Sequence, residues 1–111
     1  MTTANSEVLQ GTLDLLVLKM LDSMGPAHGT GIALLIQQAS KNLLRLNQGT
    51  LYPALLRLER RGWIVSERGL SENNRKAKYY SLTGTGREQI EKETKGWVRM
   101  CTVINRILKT S

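Results

Sequence analysis

Apolar residues along this chain fall into four stretches of helical period, with two short stretches of strand composition before the last of them. From Leu9 to Met24, the residues Leu9, Leu13, Leu16, Val17, Met20, Leu21 and Met24 mark one face of a helix, and Val8, Leu15 and Leu18 mark a second strip. A surface helix keeps one face polar, so apolar residues nearly all round imply cover on two sides, the second of them from a partner chain. Gly25-Pro26 stops that helix. His28–Ser40 reads as a second helix with Ile32, Leu35, Ile36 and Ala39 inward, and Leu43–Leu46 as a short strand or a connector. In Asn47–Arg61, Leu51, Leu55 and Leu58 recur at i, i+4 and i+7 and line one face, while Gly49, Pro53, Arg57 and Arg60 fall roughly opposite. With Thr50 as its cap, Pro53 sits harmlessly in the first turn; with Asn47 as the cap it removes a backbone bond, so an irregular first turn is expected.

Gly62 ends this third helix, and Trp63–Arg68 and Ala77–Thr83 follow as two strands rich in aromatic and β-branched residues, joined by a loop marked by Gly69, Ser71, Asn73 and Asn74. Thr83 or Thr85 caps a last helix, the latter in capping-box spacing with Glu88. Along it Ile90, Thr94, Trp97, Cys101, Ile104 and Leu108 form a heptad seam, widened by Met100, Val103 and Ile107. The expected architecture is mostly α with a small antiparallel β-hairpin. It comprises a winged helix-turn-helix over residues 1–83 and a long C-terminal dimerisation helix over 84–111. One small domain cannot cover so long an apolar stripe, so Leu15 and Leu18 on the first helix and Ile90, Trp97, Cys101, Ile104 and Leu108 on the last are the expected dimer interface.

Charge sharpens this picture. The chain has 111 residues and a formal charge of +7. Residues 1–40 carry one lysine against three acids, whereas residues 41–78 carry nine lysines and arginines against three glutamates. The basic footprint thus sits on the third helix and the hairpin, the pattern of a nucleic-acid binder. Small or rigid residues at the start of the helix allow close backbone approach, and Arg57, Arg60 and Arg61 suit phosphates. Arg75, Lys76 and Lys78 near the hairpin tip could enter a minor groove or bridge phosphates.

Other classes fit less well. The lone His28 and lone Cys101 give no metal set, no disulfide and no nucleophile–base pair, so neither an enzyme nor a cofactor is expected. Residues 1–7 do not resemble a signal peptide, and Leu13–Leu21 is too short to span a bilayer, so the expectation is a soluble cytoplasmic protein without membrane contact. A winged helix that binds a protein or RNA instead of duplex DNA stays open as the alternative.

Several segments together resemble the PadR family of bacterial transcriptional regulators, in its short form with a single C-terminal helix. They are G-T-L-D-L-L-V-L (11–18), G-P-A-H-G (25–29), G-T-L-Y-P-A-L-L-R-L-E (49–59), G-W-I (62–64) and S-E-N-N-R-K-A-K-Y-Y-S-L-T (71–83), followed by Gly86 and Trp97. The resemblance implies a homodimeric repressor of transcription on a pseudo-palindromic double-stranded DNA operator. It places Thr50, Tyr52 and their neighbours near base edges and Arg75 and Lys76 on the wing; with the charge pattern, the candidate DNA contacts are Asn47, Gln48, Thr50, Tyr52, Arg57, Arg75, Lys76 and Lys78. It also implies an effector that releases DNA, with Trp97 as the candidate ligand residue because some family members hold flat aromatic compounds between such tryptophans. Where the family usually has tyrosine after the H-G of the second helix, this chain has Thr30. Tyr52 could equally buttress the helix, Cys101 reads as a buried structural thiol, and His28 as a turn or packing residue.

Overall fold

The computed structural model describes residues 2–70 and 73–110, with side chains from residue 11 onward. The chain runs α1 (Thr2–Met24), β1 (Ala27–His28), α2 (Gly29–Ala39), α3 (Gln48–Arg60), β2 (Ile64–Leu70), β3 (Lys76–Leu82) and α4 (Gly84–Leu108). α1, α2 and α3 pack around one core in which Val17, Leu18, Leu21, Ile32, Leu51, Leu55, Leu58 and Ile64 are fully or almost fully buried. Each such side chain contributes about 1.5–3 kcal/mol relative to exposure. The period of α3 holds, with Ala54 joining the three leucines on its buried face.

Each helix is stopped or started by identifiable chemistry. The Gly25 backbone, at φ 78°, ends α1, and the His28 ring caps α2, its Nδ1 accepting from the Gly31 N–H at 3.0 Å. Asn47 caps α3 by accepting the Thr50 N–H at 2.9 Å. Pro53 therefore lies at the sixth helical position and leaves the Gly49 carbonyl without its i+4 donor, yet α3 runs without a break. Gly62, at φ 77°, closes α3: its N–H reaches the Glu59 carbonyl and the Trp63 N–H reaches that of Leu58, satisfying two carbonyls that the helix end leaves open.

The three strands form an antiparallel sheet in the order β1-β3-β2. β2 and β3 make the expected hairpin, in register from Ile64↔Leu82 out to Leu70↔Lys76. Both strands extend further toward the tip than the expected Arg68 and Ala77, and Ser71 and Glu72 of the loop lie outside the described residues. β1 was not expected; its pairs are Ala27↔Tyr80 and His28↔Tyr79. Leu43–Leu46 is a connector rather than a strand. α1 starts at Thr2, seven residues before Leu9, in a segment whose mostly polar residues carry no period to read.

Thr83, not Thr85, caps α4. Its hydroxyl donates to the Gly62 carbonyl at 2.7 Å and accepts the Gly86 N–H at 3.0 Å, and its own N–H donates to the Trp63 carbonyl at 3.0 Å. The end of α3, the base of the hairpin and the start of α4 thus meet at one residue. Gly86 is buried there; a side-chain carbon would overlap the Trp63 carbonyl oxygen and come within 2.9 Å of Leu82 Cδ1. The first turns of α4 lie along α1, where Arg87 Nε meets Asp22 at 3.3 Å. The remainder projects, and the molecule measures 58 × 31 × 22 Å.

Candidate nucleic-acid interface

The buried leucines fix the rotation of α3, and 100° per residue places Gly49, Pro53, Leu56 and Arg60 farthest from the core; all four are exposed. Tyr52 lies beside this line, 43% exposed. Its hydroxyl end covers the start of α2, where a side-chain carbon on Gly29 would be 3.1 Å from the Tyr52 oxygen. Tyr52 therefore both buttresses α2 and presents surface. Gln48 is exposed and Thr50 half-buried, while the side-chain oxygen of Asn47 is committed to the cap.

Arg57 does not join the presenting side. It is turned toward α1, where its Nη2 donates to Asp14 Oδ1 at 2.7 Å and its Nε to Oδ2 at 3.4 Å. It lies on the flank of α3, where the buried Asp14 carboxylate holds it, and 27% of its side chain stays exposed. Arg61 approaches the same carboxylate at 3.7 Å and lies over the Trp63 ring at 5.0 Å. Asp14 carries no mark in the sequence pattern, since nothing there makes a residue 43 positions earlier a neighbour.

Strand alternation puts Lys76, Lys78 and Tyr80 on one face of β3. Together with the amino end of α2 and Tyr52 they line an open groove of about 710 Å³, which also takes in Thr30, Gly31, Leu34 and Asn73. One wall carries two lysines and another the N–H groups of a helix start, so the groove suits an extended anion. Arg75 is exposed at the tip. Tyr80 is buried behind the lysines, and desolvation, then Glu59 and Tyr52, raises its pKa above the ordinary 10.0. It stays protonated at neutral pH.

The expected dimer seam divides. Leu18 has no exposed surface and belongs to the subunit's own core, and Ile90 packs on that core as well. Leu18 is corrected, because its period reveals an apolar face that the subunit itself buries completely, whereas Ile90 packs on the core and keeps part of its surface exposed. Leu15 and Cys101 are half-buried. Trp97, Ile104 and Leu108 are 49%, 46% and 75% exposed, and Val98, Met100, Val103 and Ile107 are exposed beside them. Among the described residues no group of acids, histidine and cysteine could hold a metal ion, and no helix is long and apolar enough to cross a membrane.

A three-helix unit with a polar-edged third helix and a cationic two-stranded wing is a winged helix-turn-helix of the DNA-binding kind. The model of the Transcriptional regulator PadR-like family matches residues 17–92, and the chain belongs to that family. A transcriptional regulator from Clostridium thermocellum superposes with a TM-score of 0.84 at 30% identity, covering 93% of this chain and 99% of that one. A PadR family transcriptional regulator from Eggerthella lenta gives a TM-score of 0.81 at 27% identity over 99% and 93% of the two chains. Protein X of Lysinibacillus sphaericus is 25% identical over 104 residues, 94% of each chain. The family's members are regulators that bind DNA, and the chain is one of them and not an enzyme.

Proposed function

We propose that the chain is a homodimeric repressor that binds a pseudo-palindromic operator, residues 1–83 meeting DNA and residues 84–111 joining the subunits. The observation that carries this reading is the uncovered apolar stripe on α4 from Trp97 to Leu108, in a chain whose cationic groove lies on a different element. An exposed stripe of that length is costly in water and is relieved by a second copy related by a two-fold axis. In this reading α3 enters the major groove with Gln48, Thr50 and Tyr52 near base edges, beside Asn47. Arg75, Lys76 and Lys78 hold the flanking backbone or minor groove. The repressor sense follows from the family resemblance, and such a protein would work in the cytoplasm. Trp97, half-exposed in the stripe, is where a flat aromatic effector would seat between subunits.

Selection of bound fragments from random duplex DNA tests the reading. Recovery of an inverted repeat with half-sites about one turn, roughly 10 bp, or a multiple apart is the expected result. Equal affinity for every duplex, or a preference for RNA over the matching DNA, overturns it. An effector at Trp97 should quench its fluorescence and release the operator over one concentration range, because only differential affinity for the two states shifts the equilibrium.

A further inference from the structure

The line of α3 farthest from the core is apolar at its centre. Gly49 and Pro53 offer no polar side chain, Leu56 is 48% exposed, and Arg60 comes one turn later. Several polar side chains of the helix and its cap are already engaged, whereas Gln48 at its start is exposed. Arg57 is held by Asp14, Glu59 Oε2 accepts the Ser66 hydroxyl at 2.7 Å, and the Asn47 oxygen caps the helix. An outward leucine on a helix flanked by Arg60 and by the wing lysines suits a partner that is anionic overall yet presents an apolar group at its surface. Duplex DNA meets both demands in its major groove, where the C5 methyl of thymine is the apolar group on the base edges. Uracil lacks that methyl, and the deep, narrow major groove of an RNA duplex does not admit side chains.

We propose that Leu56, with Pro53 beside it, reads thymine methyl groups, so that specificity at the centre of each half-site rests on apolar contact and not on a hydrogen-bonded arginine or glutamine. This rests on the operator-binding reading above. Leu56 is a specificity residue that adds little to binding of unrelated duplexes, where phosphate contacts dominate. A leucine also cannot satisfy the amino group of cytosine or the acceptors of guanine, so a G·C pair at that position leaves polar groups unpaired and is disfavoured.

The test uses the full chain and the duplex recovered by selection, resynthesised with deoxyuridine in place of each thymine in turn. This removes one methyl group and leaves every hydrogen-bonding group intact. One or two thymines per half-site should lose affinity about fourfold on this change, the factor that corresponds to about 0.8 kcal/mol for one buried carbon. In L56A the parent operator should bind correspondingly less tightly, and the uracil effect at those positions should vanish. Circular dichroism should show L56A folded, and its affinity for a scrambled duplex should fall less than its affinity for the operator. The proposal is overturned if every uracil duplex binds like the parent, or if L56A retains the full uracil effect; operator binding itself would then still stand. If selection recovers no preferred sequence, the operator reading fails and this inference with it.

Discussion

Arg57 on α3 grips Asp14 on α1 through two of its nitrogens, at 2.7 and 3.4 Å, and thereby fastens the recognition helix to the helix behind it. The carboxylate is buried, with an 11% exposed side chain, and Arg61 is its second cation. The arginine charge nearest the middle of α3 is thus paired inside the subunit.

Removing either partner should therefore weaken folding more than it weakens phosphate binding. Asp14→Ala and Arg57→Ala should each cost about 1.5–3 kcal/mol, the range for hydrogen bonds to charged groups. The double mutant should cost less than the sum of the two. Urea unfolding measures this. Arg57→Ala should leave the salt dependence of DNA binding as in the parent; a slope reduced by one phosphate contact would return Arg57 to the DNA face.

The wing lysines should behave oppositely. Replacing Lys76 and Lys78 together by alanine should leave the unfolding midpoint unchanged, both side chains being exposed. It should lower the slope of log affinity against log salt by about 2. Operator and scrambled duplex should lose affinity alike, since phosphates carry no sequence. An unchanged slope would take both lysines off the DNA backbone.

Leu18 and Ile104, both on the expected seam, should respond differently to the same change. Ile104→Asp should yield a folded monomer, because its side chain is exposed in the subunit and would be covered in the proposed dimer. Leu18→Asp should prevent folding altogether, since it buries an unpaired carboxylate in the core. Sedimentation and circular dichroism distinguish these results. A parent chain that sediments as a monomer at micromolar concentration would remove the dimer from the proposed function.

Tyr80 should make the fold sensitive to alkali. Its pKa is raised in the folded state, chiefly by desolvation, so the native chain holds this proton more tightly than the unfolded chain. The associated stability is complete below the unfolded value near 10.0 and is lost as pH climbs past it toward the folded value. Tyr80→Phe should flatten that decline in an unfolding series from pH 9 to 11, and an equally steep decline in the variant would assign it to other groups.

Most of the framework was legible in the sequence because period alone carries it. Leu51, Leu55 and Leu58 gave α3 its buried face, and Gly62 gave its end. What escaped depended on neighbours distant along the chain. β1 is two residues long, too short to show alternation, and exists because Tyr79 and Tyr80 run past it. Arg57 read as a DNA contact because its partner lies 43 residues away. Leu18 and Ile90 showed that a face is apolar without showing whether the same chain or another covers it. Leu56 falls outside the core period, and the rotation of α3 places it on the outer side of the helix with about half of its surface exposed.

The joint at Thr83 and Gly86 has a geometric consequence for the proposed dimer. α4 leaves that joint as a rod of about 37 Å, and the surface that would meet the other subunit lies toward its far end. A turn of five degrees at the near end moves the far end by on the order of 3 Å, a large part of the rise of one base pair. Because the Trp63 carbonyl leaves no space beside Gly86, the angle between rod and wing is held by hard contact. The distance between two recognition helices is in that sense a ruler marked at the hairpin base, well away from both the DNA and the seam.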